Sequence, residues 1–358
     1  MSGVFHPRPN PIVAAMYTAR DMNIDVIVMH GPAGCSFMAS RPLENAGVRV
    51  VTSSMKDNDL IFGGGPSLEK TLNEAKERFS PKTMAVIGTC ASTIIGDDIK
   101  AVIGRVDLGD TICFAIDCHG CMDSNTEGAI RALKAGAQAG IIPKEEADRQ
   151  SKLLKAATAL EKKRGMVSRT YLSPAESPTK LSVCKRIVET LSKGGKVAVV
   201  MVAKKELAYR FADMFPAVDQ ARRKLGGETF FVANLDPDKG LPRIRGYCRD
   251  ILQDLEKDGV KIDRNIGGLD EYAVVGDEME AAVKGFSPDL TVILGICHAY
   301  PTLDESCVLV TDQPRELSNY LDQGLTAVGE VGSHGLVMGA KGIIPLETAQ
   351  TLRELISE

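Results

Sequence analysis

One stretch of the chain, residues 60–99, places a helix, a buried strand and a cysteine in immediate succession, and it constrains the fold more than any other stretch. Ser67 has a side chain suited to an N-cap, and the residues after it predict an amphipathic helix. The apolar stripe of that helix consists of Leu68, Leu72, Ala75 and Phe79. Met84–Ile87 then form an apolar run without alternation, which is typical of a parallel strand covered on both faces. The stretch therefore predicts an α/β fold.

Cys90 lies just beyond the end of this strand, after Gly88. In open α/β sheets, ligands bind in the crevice outside the carboxyl ends of the strands. A thiol at this place is a candidate for chemistry, although a free cysteine is most often a small buried apolar residue.

The same arrangement of an apolar run followed by cysteine or histidine recurs along the chain. Ile24–Met29 leads to Cys35, Thr111–Ile116 leads to Cys118 and Cys121, and Leu290–Ile296 leads to Cys297 and His298. Further strands are predicted at Val48–Thr52, Lys196–Val202 and Thr229–Val232, and helices at 125–139, 250–257 and 345–356. Strands that alternate with helices indicate Rossmann-like, doubly wound units with parallel sheets.

The 358 residues allow two or three domains of ordinary size. We expect an N-terminal α/β domain over 1–140 that carries the reactive cysteines, and a helical connection rich in Lys, Glu and Ala over 141–195. A middle α/β domain over 196–288 and a C-terminal α/β portion over 289–358 complete the predicted organisation.

Charge and hydropathy exclude several classes of function. The net charge of -4 and the pI near 5.9 give no basic surface for nucleic acid. No apolar run approaches the roughly 20 residues of a membrane span, and no secretory leader is recognisable, so we expect a cytoplasmic protein without a membrane partner. Nine cysteines, an odd number, do not suggest a disulfide framework and leave metal ligation, reactivity or burial.

Several motifs of nucleotide and hydrolytic chemistry are missing from the sequence. No G-x-G-x-x-G follows a predicted strand, and no Walker A motif occurs. Neither a G-x-S-x-G elbow nor an H-E-x-x-H zinc motif is present. We therefore expect that ATP, if the reaction needs it, is hydrolysed by a partner.

Three segments together resemble the signatures of the nitrogenase component 1-like family, in the same order and at similar spacing. They are HGPAGC at 30–35, LIFGGGPSLEKTL at 60–72 and GTCASTIIGDDI at 88–99. The resemblance is strongest over residues 10–140 and weaker from residue 290 onward, where SHGLVMGAKG is similar to a histidine-bearing segment near the cavity of the family. It implies a nitrogenase component 1-like fold.

The resemblance implies that Cys35 and Cys90 are ligands of a 4Fe-4S cluster, because thiolates are the ligands such clusters need. Heteromeric members of the family carry another cluster cysteine upstream of the turn that corresponds to HGPAGC, but none occurs here between His6 and Arg20. The chain is also shorter than the nitrogenase and chlorophyll-pathway subunits. Both departures favour a homodimer that shares the cluster, with two ligands from each chain. An alternative keeps the cluster within one chain by recruiting Cys118 and Cys121.

These departures fit the branch of the family that reduces and lactam-cyclises a nickel tetrapyrrole in coenzyme F430 biosynthesis. The resemblance then implies a partner, a homodimeric ATPase reductase similar to the nitrogenase iron protein. Another tetrapyrrole reductase of the protochlorophyllide type and a non-catalytic scaffold for metal-cluster assembly are the alternatives.

The remaining candidates have an ordinary structural interpretation beside the functional one. Cys118 and Cys121 have zinc-like spacing without a second pair, so they either line the cavity or support the ligands. His298 and His334 are candidates for lining a tetrapyrrole cavity, or are satisfied core residues. Asp97 and Asp98 are interpreted as residues that cap or solvate a helix turn. Arg8, Arg20, Arg41 and Arg49 could pair with substrate carboxylates. Cys113, Cys184, Cys248 and Cys307 are expected to be core or surface thiols.

Overall fold

The computed structural model describes residues 10–35, 37–122, 124–164, 178–271, 273–312, 316–330 and 337–357. The chain divides into two compact units. The first unit comprises Met1–Ala159 and Leu241–Arg243, and the second comprises Leu160–Gly240 and Ile244–Glu358. No helix among the described residues has both the length and the apolar character needed to span a bilayer.

The first unit alternates strands and helices. Its strands are β1 (Val26–His30), β2 (Arg49–Thr52), β3 (Thr83–Gly88) and β4 (Ile112–Ile116). Its helices are α1 (Pro11–Asp21), α2 (Phe37–Asn45), α3 (Asp57–Phe62), α4 (Gly65–Phe79), α5 (Cys90–Ile94), α6 (Ile99–Ile103) and α7 (Asn125–Gln138), and α8 (Lys144–Arg164) begins in it.

The described strands of the first unit form one parallel sheet with the order β2-β1-β3-β4. All residues of β1 are buried, as the apolar run in the sequence predicts. Because β2 and β3 pair with opposite sides of β1, the strand order reverses between β1 and β3. This reversal is the topological switch point at which doubly wound sheets bind ligands.

Helix α1 is buried along its whole length and packs against α7. Asn10 caps α1 by accepting a hydrogen bond from the amide of Val13, and Pro11 occupies its first turn. A Cβ on Gly128 would lie 2.1 Å from the carbonyl oxygen of Pro11, so the two helices approach this closely only because glycine is present. The sequence analysis did not predict α1.

Helix α4 starts earlier than predicted. Its N-cap is Gly64, whereas Ser67 lies inside the first turn and donates a hydrogen bond to Asp59 at 2.7 Å. The N-cap assignment of Ser67 is therefore wrong, because Asp59 on the preceding helix takes its hydroxyl. The predicted stripe is correct for Leu68, Leu72 and Ala75, which are buried against β1 and β3.

The second unit contains strands β5 (Lys196–Val202), β6 (Glu228–Ala233), β7 (Arg264–Asn265), β8 (Leu290–Gly295), β9 (Cys307–Thr311) and β10 (Thr326–Gly329). Its helices, after the end of α8, are α9 (Pro178–Ser192), α10 (Ala208–Phe211), α11 (Met214–Leu225), α12 (Pro242–Lys257), α13 (Gly276–Phe286), α14 (Leu317–Asp322) and α15 (Glu347–Ser357). The first two residues of α12 belong to the first unit.

The described strands of this unit form one parallel sheet with the order β10-β9-β8-β5-β6-β7. Strand β8 pairs with β5 along its length, from Val197 opposite Leu290 to Val202 opposite Gly295. Strands from the predicted middle domain and from the predicted C-terminal portion thus share one sheet. The order reverses between β5 and β8, which gives this unit a switch point of its own.

Candidate functional site

The cysteine turns of the first unit meet at the carboxyl edge of its sheet. Cys35 ends a short 3-10 turn after β1 and is exposed, and Cys90 begins α5 after β3 and is partly buried. The turn after β4 presents Cys121 at the surface but buries Cys118. Since β1 and β3 flank the switch point, Cys35 and Cys90 stand where this fold class binds ligands.

Cys90 is the centre of these contacts. Its Sγ lies 4.0 Å from Sγ of Cys121 and accepts a hydrogen bond from the Gly120 amide at 3.2 Å. A Cβ on Gly120 would lie 3.1 Å from the same sulfur, so the turn after β4 cradles Cys90 with bare backbone. The Cys118 thiol instead turns to Met122, with 3.6 Å between their sulfurs.

The thiols of this edge disfavour one another's ionisation. Burial raises the pKa of Cys35, and the charge of nearby Cys90 raises it further. The hydrogen bond with Cys90 raises the pKa of Cys121. Burial raises the pKa of Cys118 to about 12. Crowded thiols of this kind become thiolates when a cation is placed among them, because metal binding releases their protons.

The donor set fits an iron-sulfur cluster in its chemistry: accessible thiols at a ligand-binding edge, with a backbone amide directed at one sulfur. Across the described residues of a single chain, however, no three His, Cys, Asp or Glu side chains are grouped closely enough to hold a metal ion.

A buried histidine and its carboxylate partner join the three segments that resemble the family signatures. His30 is fully buried, and its Nε2 lies 2.9 Å from Oδ2 of Asp97, while its Nδ1 lies 3.0 Å from Oγ of Ser53. Burial lowers the pKa of His30, although the carboxylate of Asp97 opposes the shift. His30 is therefore neutral near pH 7, with Nε2–H donating to Asp97 and Nδ1 accepting from the Ser53 hydroxyl.

Asp97 also binds the glycine turn before α4. The Gly64 amide donates to both of its carboxylate oxygens, at 3.0 and 3.1 Å. A Cβ on Gly64 would lie 2.7 Å from Asp97 Oδ2 and 2.9 Å from His30 Cε1, so these groups leave room only for glycine. The cap interpretation of Asp97 is therefore wrong, whereas Asp98 does cap α6 by accepting from the Ala101 amide.

A second contact joins the turn that carries Cys35 to the turn that carries Cys90. The Thr89 hydroxyl donates to the His30 carbonyl oxygen at 3.0 Å. A Cβ on Gly31 would lie 2.2 Å from Thr89 Oγ1, so the turn after β1 and the turn after β3 touch through glycine. The pairing of His30 with Asp97 was missed because the two residues are 67 positions apart in the sequence.

In the second unit, His298 lies in the turn that follows β8, as predicted. Its Nδ1 lies 3.0 Å from Oε2 of Glu316, and the Tyr320 hydroxyl donates to that same oxygen at 2.8 Å. The other predicted histidine, His334, lies outside the described residues. Cys297, beside His298, is fully buried in the core of this unit.

The predicted arginine anchors are dispersed. Arg20 is buried and lies 3.4 Å from Asp21, whereas Arg41 is exposed on α2. Arg49 begins β2, at the amino edge of the sheet, and stacks over Phe79. Arg8 lies outside the described residues. Of the remaining cysteines, Cys113 lies within β4, and Cys184, Cys248 and Cys307 are buried.

Comparison with known proteins gives matches over part and over nearly all of the chain. The model of the nitrogenase component 1 type oxidoreductases matches residues 11–154. Component CfbD of the Ni-sirohydrochlorin a,c-diamide reductive cyclase complex from Methanothermobacter thermautotrophicus is 41% identical, with 99% of both chains covered. The CfbD component from Methanosarcina acetivorans is 39% identical, over 99% of this chain and 98% of that one.

The chain belongs to the CfbD family. The CfbD component of Methanocaldococcus jannaschii, at 36% identity over 95% of this chain and 96% of its own, agrees with this assignment. The resemblance to the nitrogenase component 1-like family is thereby confirmed. The solved structure of nitrogenase Cp1 at pH 5 aligns with all of this chain and 89% of its own, at 16% identity and a TM-score of 0.39.

Proposed function

We propose that this chain is the catalytic component that reduces and lactam-cyclises Ni-sirohydrochlorin a,c-diamide in coenzyme F430 biosynthesis in the cytoplasm. One observation carries the proposal: relatives that are named as components of that reductive cyclase complex match at up to 41% identity over 99% of the chain. The accessible thiols at the switch point of the first unit support a redox role.

Cys35 and Cys90 are the proposed ligands of a 4Fe-4S cluster, which supplies one-electron transfer when bound. Each chain contributes this pair, and a second copy contributes the same pair across a two-fold axis. The burial of Cys118, and its contact with Met122, argue against the alternative in which one chain completes the ligand set by itself. Cys121 remains close enough to Cys90 to be tested as a further ligand.

Exposed apolar side chains beside both ligands support the homodimer. Phe37, two residues after Cys35, is 75% exposed, and Ile94, at the end of the short helix that Cys90 begins, is 83% exposed. Large apolar side chains that flank a reactive edge are typical of a protein interface. We assign this surface to a second copy of the chain, because a shared cluster requires contact there.

The partner that supplies electrons is the proposed ATPase reductase, a homodimer similar to the nitrogenase iron protein. The relatives are named as components of a complex, which requires at least one other component. The sequence of this chain contains no Walker A motif with which to bind ATP phosphates itself.

Cysteine variants test the ligand assignment. Cys35→Ala or Cys90→Ala should abolish the electron paramagnetic resonance signal of the reduced, anaerobically reconstituted protein. Cys184→Ala, which removes a buried thiol of the second unit, should retain it. A normal signal in both ligand variants would refute the assignment. Loss of the signal on replacing Cys118 and Cys121 in an intact dimer would support the alternative, a cluster held within one chain.

A turnover experiment tests the function. The chain is mixed with the partner reductase, ATP and Ni-sirohydrochlorin a,c-diamide, and the product is identified by mass spectrometry and absorption. The proposal predicts a reduced, lactam-containing macrocycle. Reduction of protochlorophyllide instead would favour another tetrapyrrole reductase, and transfer of a metal cluster to an acceptor without turnover would favour the scaffold.

A further inference from the structure

Two cysteines lie side by side at the carboxyl edge of the first unit, Cys90 at the start of α5 and Cys121 in the turn after β4. Their Sγ atoms are 4.0 Å apart. A disulfide holds its sulfurs about 2.05 Å apart, so the two atoms have to approach by about 2 Å, which is within the swing of one thiol between staggered rotamers. The two side chains are therefore placed to form a bond.

The local structure holds one of these thiols in place and exposes the other. The Gly120 amide donates a hydrogen bond to Cys90 Sγ at 3.2 Å, which fixes that sulfur against the turn that carries Cys121. Cys121 itself is exposed, and Cys90 is partly buried. An accessible thiol beside a second, resolving thiol is the arrangement of cysteine pairs that respond to oxidants.

The neighbouring thiols are less suited to the same reaction. Cys118 is 1% exposed, and its sulfur lies 3.6 Å from Sδ of Met122. Cys113 is held within β4, which pairs with β3. Cys35 is exposed at the end of the turn after β1, so it is the competing partner of Cys90 that an experiment must exclude.

We propose that Cys90 and Cys121 are a redox-sensitive pair, which closes to a disulfide when the chain carries no cluster and meets hydrogen peroxide. The Cys121 sulfur attacks one peroxide oxygen; an S–O bond forms, the O–O bond breaks, and the thiol proton leaves with the other oxygen as water. The Cys90 sulfur then attacks the Cys121 sulfur; an S–S bond forms, the S–O bond breaks, and a second water carries away the Cys90 proton. The two thiols together lose two electrons, which the peroxide gains.

The disulfide has two consequences for Cys90. It keeps the pair in a form that a dithiol reopens by thiol–disulfide exchange, whereas a thiol without a resolving partner is oxidised further to acids that dithiols do not reduce. It also removes Cys90 from the ligands that a cluster can use. This second consequence rests on the proposed function, which makes Cys90 a cluster ligand, whereas the disulfide itself does not depend on it.

The test treats the full-length, metal-free, reduced chain with an equimolar amount of hydrogen peroxide. Two of the nine thiols should then fail to react with an alkylating reagent in denaturant, and both should return after dithiothreitol. Cys121→Ser should lose this effect, while Cys35→Ser, which removes another exposed thiol of the same edge, should retain it. In Cys90→Ser, Cys121 should gain oxygen atoms that dithiothreitol does not remove. Equal loss of thiols in Cys121→Ser and wild type would overturn the proposal.

Peptide mapping identifies the bond. Trypsin releases Cys90 in the peptide 83–100 and Cys121 in the peptide 106–131. Under non-reducing conditions these two peptides should be linked, and fragmentation should place the bond at Cys121. A bond between Cys90 and Cys35, or bonds that join two chains, would contradict the assignment.

Uptake of ferrous iron, added without sulfide or thiols and measured after desalting, tests the consequence for the ligand. The reduced chain should retain more iron than the oxidised chain, and dithiothreitol followed by desalting should restore the uptake. Equal uptake by both forms would refute the claim that the disulfide withdraws a ligand. If the reduced chain itself retains no iron, the ligand assignment of the proposed function fails, and the linked peptides still report on the pair.

Discussion

Replacing Asp97 by Ala should destabilise the first unit more than the same replacement of its neighbour Asp98. The change removes the acceptor of two buried donors, His30 Nε2–H and the Gly64 amide. Each buried donor left without a partner costs about 1–3 kcal/mol, so the expected loss is about 2–6 kcal/mol. A domain is typically stable by only about 5–15 kcal/mol, so this loss is a large fraction.

Asp98→Ala is the matched control, because it removes the same side chain one residue away. Asp98 only caps α6, through its bond to the Ala101 amide at 3.0 Å, and loss of such a cap costs about 1 kcal/mol. Thermal unfolding at one fixed protein concentration measures both variants. With about 2–4 °C per kcal/mol for a unit of this size, Asp97→Ala should unfold about 5–20 °C below wild type.

If Asp97→Ala unfolds no earlier than Asp98→Ala, the carboxylate of Asp97 does not hold His30 and Gly64 together, and the account of how the three segments are joined is wrong. Asp97→Asn should recover part of the loss, because its amide oxygen still accepts from Gly64.

Three further predictions follow from the same edge and from the missing ATP motif. Gly31→Ala should unfold at a lower temperature than wild type and bind little iron, because its Cβ would lie 2.2 Å from Thr89 Oγ1. Gly34→Ala, whose Cβ would have nothing within 4 Å, should resemble wild type. Equal unfolding temperatures and iron contents in the two variants would contradict the packing. The pKa of His30 is lower in the folded than in the unfolded protein. Its contribution to the free energy of unfolding is therefore present above about pH 6.5 and is lost as pH falls from there toward the folded pKa. A histidine titration that places the pKa of His30 at or above about 6.5 would refute this. The isolated chain should release no phosphate from ATP, and release should begin only when the reductase is added; hydrolysis by the chain alone would reveal a missed nucleotide site.

The strand-end cysteines could be predicted because a buried parallel strand leaves a clear signal. Apolar runs without alternation identified β1, β3 and β8, and whatever follows such a run lies at the carboxyl edge. Cys35, Cys90 and His298 were found in this way. Strands β9 and β10 were missed, since a short run such as Cys307–Thr311 cannot be distinguished from a helical segment by periodicity.

Other features depend on partners that sequence order does not reveal. The signal for α1 was present in Asn10 and Pro11, an N-cap followed by proline, but its complete burial follows from packing against α7. Asp97 was interpreted locally as a cap, although its partners, His30 and Gly64, belong to two other segments. The pairing of β8 with β5, which creates the second switch point, is likewise a long-range choice.

The most direct measurement of the central claim is the iron content of the reconstituted dimer, combined with its mass in solution. A 4Fe-4S cluster held by Cys35 and Cys90 of both copies predicts about four irons per dimer, and a dimer that loses its iron in Cys90→Ala. About eight irons per dimer, or a fully loaded monomer, would contradict the shared cluster.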